Sequence, residues 1–342
     1  AWRAASIAAR PGACFCGNER FDPLTSVAIM NAKGGVGKST LTMALAETLS
    51  AFHGKRVLVI DSDGQMSLSV MVLPVARLTE LRDQGKTITG FLASLLPGKI
   101  ALDWRTCIAG NASDVDDARS LSAIAGDMDL ALIERDIVAS GEAGKVQERC
   151  KVLLREAKED FDLVLVDCAP GISVITECWL RECEWHLIPV KPDILAVSGI
   201  QYLKNFRQRT PEAPFARHLG VAINMKQTGS ETGETIHELL LANGEMACFA
   251  DAVPMIQHIQ KSALCTTELR SFQNKYPGEA GRALRAIAAG MLQRVSANQP
   301  APEFGVEQAL PPFEQELTKP LGASRKAWLD KPLGPSSNYS TD

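Results

Sequence analysis

The chain has 342 residues, a formal net charge of −4 and a hydrophobic fraction of 46%. That length and apolar content favour one large α/β domain with extensions over two independent cores. The charge excludes a generally cationic nucleic-acid-binding protein. The chain also lacks any apolar stretch of ~18 residues, so we expect no insertion into a membrane.

The cysteines favour a reducing compartment. Nine are present, an odd number, and they are scattered along the chain, as are the five histidines. The pairs Cys14–Cys16 and Cys178–Cys183 lack companion pairs at metal-ligand spacing, so we expect no structural zinc or iron–sulfur site. We therefore predict reduced thiols in a cytoplasmic protein.

Three regions are predicted along the chain. Residues 1–23 begin without methionine, are rich in Ala and Arg, and contain no acidic residue before Glu19. We expect a flexible extension there, with an organellar transit segment as the alternative. Residues 24–296 are predicted to form the folded domain. Residues 297–342 hold seven prolines and no sustained apolar period, which predicts a flexible tail.

The first predicted element is a strand followed by a glycine-rich loop and a helix. The apolar run Val27–Met30 precedes the loop, and a helical pattern of apolar residues begins at Leu41. Glycines let successive backbone N–H groups converge on an anion at a helix N-terminus. Lys38 would reach the β/γ-phosphates of a nucleotide and Ser39 would bind Mg²⁺. The predicted nucleotide-binding residues of this P-loop are Gly34, Gly35, Val36, Gly37, Lys38, Ser39 and Thr40.

A second lysine, Lys33, precedes the glycines, so the loop reads K-G-G-x-G-K-S-T. This form resembles the deviant Walker motif of the ParA/MinD family of ATPases, which includes plasmid and chromosome partition proteins. The resemblance implies ATP and Mg²⁺ as cofactors. It also implies that Lys33 acts together with Lys38 in catalysis, by crossing a dimer interface to the partner's nucleotide. A surface lysine beside an anion site is the alternative for Lys33.

The fold expected from the rest of the chain is α/β. Strands alternate with helical stretches, which indicates βαβ units and a mostly parallel sheet with helices on both faces. The resemblance implies the same twisted sheet of a P-loop NTPase and extends over residues 24–295.

A second apolar run, Val57–Ile60, is followed by Asp61, Asp63 and Gln65. Such a run is typical of a buried parallel strand, whose carboxyl end is the edge where open α/β sheets bind ligands. The family motif here is D-x-D-P-Q, and this chain has Gly64 in place of the proline. The resemblance implies that Asp63 positions the attacking water and that Asp61 supports the Mg²⁺ shell. Ordinary turn formation is the alternative for both acids.

A third apolar strand ends in Asp167, which is followed by Pro170 and Gly171. This matches a Walker B strand, whose acid would hold Mg²⁺. The segment after it resembles the switch II region of the family. The predicted metal residues are therefore Ser39, Asp61 and Asp167.

The base end of the nucleotide is predicted near two later strands. Leu219–Asn224 reads as a strand, and its last residue matches the asparagine that contacts adenine in the family; loop capping is the alternative for Asn224. Pro254 aligns with the loop beneath the base, and Met255 stands where relatives often have arginine.

Two stretches in the second half carry local positive charge despite the acidic total. A stripe from Leu284 to Val295 predicts an amphipathic last helix with basic residues toward solvent. Such clusters can neutralise phosphates in a sequence-independent, salt-sensitive manner, although a solvated basic face is the commoner meaning. The predicted DNA-binding residues are Arg270, Lys275, Arg282 and Arg285.

The function predicted from the resemblance is an ATP-dependent dimerisation switch. The ATP-bound homodimer would bind non-specific DNA and position a plasmid, chromosome region or protein assembly, and a ParB-like or other adaptor would stimulate hydrolysis. One alternative is a MinD-like regulator at a membrane surface or a secretion or assembly site. Another is a P-loop electron donor or small-molecule ligase. We favour the partition-type reading because the end of the chain lacks a basic amphipathic helix and the cysteines lack cluster-ligand loops.

Overall fold

The computed structural model of the protein describes residues 25–193, 196–255 and 264–297. The strands within these ranges form one sheet. In chain order they are β1 (Thr25–Ile29), β2 (Val57–Ser62), β3 (Ile108–Gly110), β4 (Leu121–Ile124), β5 (Leu163–Cys168), β6 (Trp185–Val190), β7 (Arg217–Lys226) and β8 (Ala252–Pro254).

The order across the sheet is β3-β4-β2-β5-β1-β6-β7-β8. Neighbouring strands are parallel except for β3, which runs antiparallel to β4. The central strands β1, β2, β5 and β6 are buried along their whole length, which explains their continuous apolar sequences. The predicted α/β class with a mostly parallel sheet is confirmed.

Helices cover both faces of the sheet. Their bounds are α1 (Lys38–His53), α2 (Ser67–Val72), α3 (Val75–Asp83), α4 (Ile88–Ala93), α5 (Leu130–Ser140), α6 (Ala143–Ala157), α7 (Val174–Glu182), α8 (Ala196–Arg209), α9 (Glu231–Ala242), α10 (Phe272–Lys275) and α11 (Glu279–Ser296). Within the described residues, the 3₁₀ turn Trp104–Cys107 leads into β3 and the 3₁₀ turn Gly244–Met246 follows α9.

The two faces have separate cores because side chains alternate along each strand. In β2, Val57 and Val59 pack with residues of α1, α2 and α11, whereas Leu58 and Ile60 pack with residues of α6 and α7. The predicted apolar stripe of the last helix is confirmed, since its members on α11 from Leu284 to Met291 are buried against α1.

The sheet brings the predicted site residues to one edge. The P-loop follows the central strand β1, and β5 lies between β1 and β2. Asp61 and Asp167 are paired in register at the carboxyl ends of β2 and β5. Open α/β sheets bind ligands at this edge.

The predicted extension (1–23) lies outside the described residues, and so does the predicted tail from residue 298 onward. Among the helices that are described, none is both long and apolar enough to cross a bilayer.

Candidate nucleotide-binding site

The P-loop curls around the start of α1. Gly35 and Gly37 have φ angles of 73° and 77°, in the left-handed region that favours glycine. Gly37 is the N-cap of α1, and no side chain caps the helix there. The first N–H groups of a helix that has 16 residues are therefore directed into the loop, where they can bind an anion.

Asn224 fixes the loop from the end of β7. Its amide nitrogen donates to the carbonyls of Val36 and Gly37, at 3.0 and 3.2 Å. A Cβ at Gly37 would lie 2.5 Å from that nitrogen, so only glycine permits this close approach. The structure thus places Asn224 on the P-loop backbone, and its contact with adenine stays a prediction.

Lys38 lies inside the curve of the loop and is 6% exposed. Its ammonium group donates to the carbonyls of Asn31 and Lys33, both at 3.4 Å. Burial lowers the pKa of Lys38, and the nearby carboxyl of Asp167 opposes that shift. A phosphate chain in the loop would supply the negative charge that favours the ammonium form.

Two buried carboxyls lie beside this lysine. Burial raises the pKa of Asp61 to about 6, and burial followed by repulsion from Asp61 raises the pKa of Asp167 well above its usual range. Thr42 Oγ1 lies 3.4 Å from Oδ1 of Asp167, and the nearby Ser39 side chain opposes the rise in the pKa of Asp167. The site therefore contains more acid groups than its own cation can neutralise.

The donor set fits Mg²⁺ bound together with a phosphate chain. Within the described residues, one carboxylate oxygen of Asp167, Oδ2, is buried with no hydrogen-bond partner. The same residues contain no group of three or more His, Cys, Asp or Glu side chains placed to hold a metal. Mg²⁺ commonly takes one or two protein ligands and completes its shell with phosphate oxygens and water. Asp167 and Ser39 suit that arrangement.

Asp61 has a different environment from Asp167. Its Oδ2 accepts hydrogen bonds from the backbone N–H and the hydroxyl of Ser69, at 2.8 and 2.6 Å, and its Oδ1 accepts from the N–H of Asp63 at 3.3 Å. The Ser69 hydroxyl in turn accepts from the N–H of Gly126 at 2.9 Å. Asp61 therefore holds the loop that carries Asp63, and its support of a metal shell stays a prediction. Sequence reasoning missed Ser69, since a serine in a short helix carries no distinctive signal.

Asp63 lies at the mouth of the site and is 8% exposed. One of its carboxylate oxygens accepts from the N–H of Gln65 at 2.9 Å, which forms a tight turn. Gly64 has no positive φ, and a Cβ there would meet Met128 O at the ordinary distance of 3.7 Å. Neither strain nor space requires glycine at this position.

Lys33 is held within its own chain. Its ammonium group lies 2.7 Å from both carboxylate oxygens of Asp193, which follows β6. The two side chains are 25% and 35% exposed, so the ion pair lies on the rim of the site. The sequence did not indicate Asp193 as a site residue, because the partners are far apart in the chain.

A polar cavity of about 380 Å³ lies at the carboxyl ends of β7 and β8, and Pro254 lines it. Lys226 borders the cavity and is bonded to Glu234 at 2.7 Å and to Nδ1 of His237 at 3.1 Å. Because Pro254 lines this cavity, the cavity is the candidate for the base end of a nucleotide.

The predicted DNA-binding role of Lys275 is wrong. Lys275 is fully buried and forms ion pairs with Glu47 at 2.6 Å and Asp114 at 2.8 Å. Arg270 is half-buried, and its guanidinium lies 2.6 Å from Asp114. Counting charges along the sequence overstated the basic surface, since these cations are neutralised by acids distant in the chain.

The remaining two candidates lie on the first turns of α11. Arg282 is exposed and borders the cavity that Pro254 lines. Arg285 is half-buried, with its guanidinium 5.1 Å from the centre of the Phe52 ring. They stay predicted DNA contacts.

A family model described as "AAA domain" matches residues 24–215. The chain is 26% identical over 225 residues to the chromosome partitioning protein ParA of Caulobacter vibrioides, which covers 63% of this chain and 74% of that protein. The match to the family model includes the P-loop and both strands that end in acids.

Solved structures share the fold. Cobyrinic acid a,c-diamide synthase from Mycobacterium smegmatis, with a bound ATP analogue and magnesium, has a TM-score of 0.61 at 20% identity and covers 82% of this chain and 99% of that one. The ParA of pNOB8, bound to nonspecific DNA, has a TM-score of 0.59 at 21% identity and covers 81% of this chain and 100% of that one. Because the family model matches more than half of the chain, the chain belongs to the AAA domain family, and its resemblance to the ParA-type P-loop ATPases is confirmed.

Proposed function

We propose that the protein is an ATPase that uses ATP and Mg²⁺ to switch between a monomer and a dimer. The observation that carries this proposal is the pair of lysines on one loop. Lys38 is buried next to Asp167, whereas Lys33 lies on the rim in an ion pair with Asp193. We infer that Lys38 binds the phosphates of its own subunit and that Lys33 exchanges Asp193 for the nucleotide of a second copy.

Nucleotide binding is assigned to the residues around the P-loop. The N–H groups of the P-loop and Lys38 would bind the phosphates, and Ser39 and Asp167 would hold Mg²⁺. The metal, when bound, neutralises charge on the phosphate oxygens. Asp61 would keep the loop of Asp63 in place through Ser69, so that Asp63 can orient a water molecule for attack.

Dimer formation is assigned to Lys33. An ion pair exposed to this degree contributes only about 0–1 kcal/mol, so it can be exchanged for a stronger contact at small cost. A triphosphate presented by a second copy of the chain offers such a contact, since a lysine bonded to a phosphate forms charge-assisted hydrogen bonds. Hydrolysis would be slow in the monomer, because the site would lack that second cation.

We further propose that the dimer binds non-specific DNA and positions a cargo in the cytoplasm, with an adaptor protein stimulating hydrolysis. The solved structure of pNOB8 ParA with nonspecific DNA supports the proposal. The exposed Arg282 and the neighbouring Arg285 supply two cations per subunit, and a dimer would double them.

The substitution Asp63→Ala is expected to trap the protein as an ATP-bound dimer. Loss of the carboxylate that orients water should slow hydrolysis by about 100-fold or more, while the phosphate-binding residues remain intact. Size-exclusion chromatography with light scattering, with and without Mg-ATP, measures the mass. A strictly monomeric protein with ATP bound would contradict the switch.

The matched control is the double variant Asp63→Ala with Lys33→Ala. It should bind ATP as the single variant does and remain a monomer, because the cation that crosses the interface is absent. A dimer of the double variant would show that Lys33 is an ordinary surface lysine.

The double variant Arg282→Glu with Arg285→Glu should weaken DNA binding by at least about tenfold at low salt, since four charges change sign in each dimer. Fluorescence anisotropy with a labelled duplex at several salt concentrations measures this. ATP affinity must be measured in parallel, because Arg282 borders the candidate base cavity.

The control for that prediction is Arg77→Glu with Arg119→Glu. These arginines are exposed, lie on α3 and before β4, and give the same change in net charge. Equal losses in the two double variants would mean that only net charge matters. Unchanged DNA affinity of the Arg282→Glu, Arg285→Glu variant would show that this part of α11 does not contact DNA.

A further inference from the structure

A buried hydrogen bond joins α7 to the end of β2. The indole Nε1–H of Trp179 donates to the hydroxyl of Ser62 at 2.9 Å. Trp179 is fully buried and Ser62 is 2% exposed, so water does not compete for this bond. The partners are separated by 117 positions in the sequence, and the bond exists only because α7 packs across the sheet.

Ser62 stands between the two acids of the Asp63 loop. Because side chains alternate along a strand, Asp61 faces the side of α1 and Ser62 faces the side of α7. Trp179 therefore reaches the end of β2 from the face opposite α1. The end of β2 is fixed from both faces, by Ser69 through Asp61 and by Trp179 through Ser62.

The helix α7 also begins directly after the segment that follows Asp167. Ser62 is paired in register with Cys168, the last residue of β5. From Cys168 the chain runs through Pro170 and Gly171 to Ser173, whose hydroxyl caps α7 by accepting from the N–H of Thr176. This segment is therefore joined at one end to β5 and at the other end to the capped start of α7.

A second contact ties the start of α7 to the same region. The carboxylate of Glu134 on α5 accepts from the N–H of Ile175, at 3.1 Å, in the first turn of α7. Negative charge near a helix N-terminus is favourable. The start of α5 lies against Gly64, since a Cβ on Gly64 would lie 3.8 Å from Leu130. Helix α5 therefore contacts both the start of α7 and the Asp63 loop.

We propose that Trp179 is a positioning residue that couples the segment after Asp167 to the loop of Asp63 through its hydrogen bond to Ser62. The part of this inference that concerns catalysis rests on the proposed function, in which Asp63 orients the attacking water. The structural part of the inference does not rest on the proposed function. It states only that the segment after Asp167 and the loop of Asp63 are held in one arrangement.

The first test is hydrogen–deuterium exchange of the full chain, read on the peptides that cover residues 63–69. Trp179→Phe removes the donor and keeps an aromatic ring, and Ser62→Ala removes the acceptor. Each should raise exchange of these amides by about tenfold, the effect of losing one buried hydrogen bond. The control Trp104→Phe loses a similar volume and an indole bond of the same length, to Glu156 at 2.9 Å, away from the site.

The second test is steady-state hydrolysis of ATP by the same variants. Trp179→Phe and Ser62→Ala should each lower kcat by about tenfold with little change in KM, and the double variant should lose no more than either single one. Trp104→Phe should retain the kcat of the wild-type chain.

The outcomes separate the two proposals. If residues 63–69 exchange in both Trp179→Phe and Ser62→Ala as they do in Trp104→Phe, the coupling is overturned, whatever the activity. If exchange rises but the wild-type chain does not hydrolyse ATP, the coupling stands and the proposed function fails. Additive losses of kcat would show that the residues act separately, which also overturns the inference.

Discussion

Lys38→Ala is expected to abolish nucleotide binding. The Lys38 ammonium group is buried inside the P-loop, next to Asp167. Its removal would take away charge-assisted hydrogen bonds to the phosphates and leave the acids of the site without their cation. Together these effects should weaken ATP binding by at least about 100-fold. Isothermal titration calorimetry with Mg-ATP at neutral pH measures the affinity.

The matched control for this prediction is Lys33→Ala. It removes the other lysine of the loop, which lies on the rim and is paired with Asp193. The isolated subunit should keep most of its ATP affinity, since Lys33 is proposed to serve the nucleotide of a second copy. Tight binding of ATP by Lys38→Ala would refute the phosphate-binding role of the loop.

Lys275→Met is expected to lower the free energy of unfolding by about 3–5 kcal/mol, the usual cost of removing one partner from a buried ion pair. Lys275 bridges Glu47 on α1 and Asp114, and all three side chains are fully buried. Without its ammonium group the two carboxylates would be buried with less compensation. The midpoint of urea denaturation measures the change.

The control for that substitution is Lys158→Met. Lys158 pairs with Glu184 at 3.2 Å, and both side chains are more than a third exposed. Its loss should change the free energy of unfolding by less than about 1 kcal/mol. Equal effects of the two substitutions would contradict the structural role assigned to Lys275.

The loss of unfolding free energy caused by Lys275→Met should also depend on pH. Burial would raise the pKa of Asp114, but Lys275 and the hydrogen bonds from Lys275, Thr266 and Arg270 together lower it. A lowered pKa contributes stability above the unfolded-state pKa, and this contribution is lost as the pH falls through the folded-state pKa. The difference between wild type and variant should therefore shrink on acidification.

Much of the site could be predicted because its residues lie within short stretches of sequence. The P-loop is one continuous segment, and its glycines and Lys38 are recognisable from their spacing. Asp61 and Asp167 each end an apolar run, and parallel strands place their carboxyl ends at the same edge. Local pattern and the direction of the strands therefore predicted where these residues lie, and the family resemblance implied their roles.

The basic surface could not be predicted in the same way. Lys275 and Arg270 were counted as surface cations, yet Glu47 and Asp114 neutralise them from more than 150 positions away in the chain. Net charge over a window of sequence carries no information about burial, because a buried lysine and an exposed one have the same formal charge.

The sequence by itself determined the alternation of strands and helices, the glycine-rich loop and the two acids at the ends of β2 and β5. These depend on backbone propensity, apolar periodicity and residue spacing, which act over a few positions. The tertiary structure alone decided that Asp193 holds Lys33, that Trp179 bonds to Ser62 and that Lys275 is buried. Each of these pairs joins residues more than 100 positions apart, so packing of helices on the sheet had to bring them together.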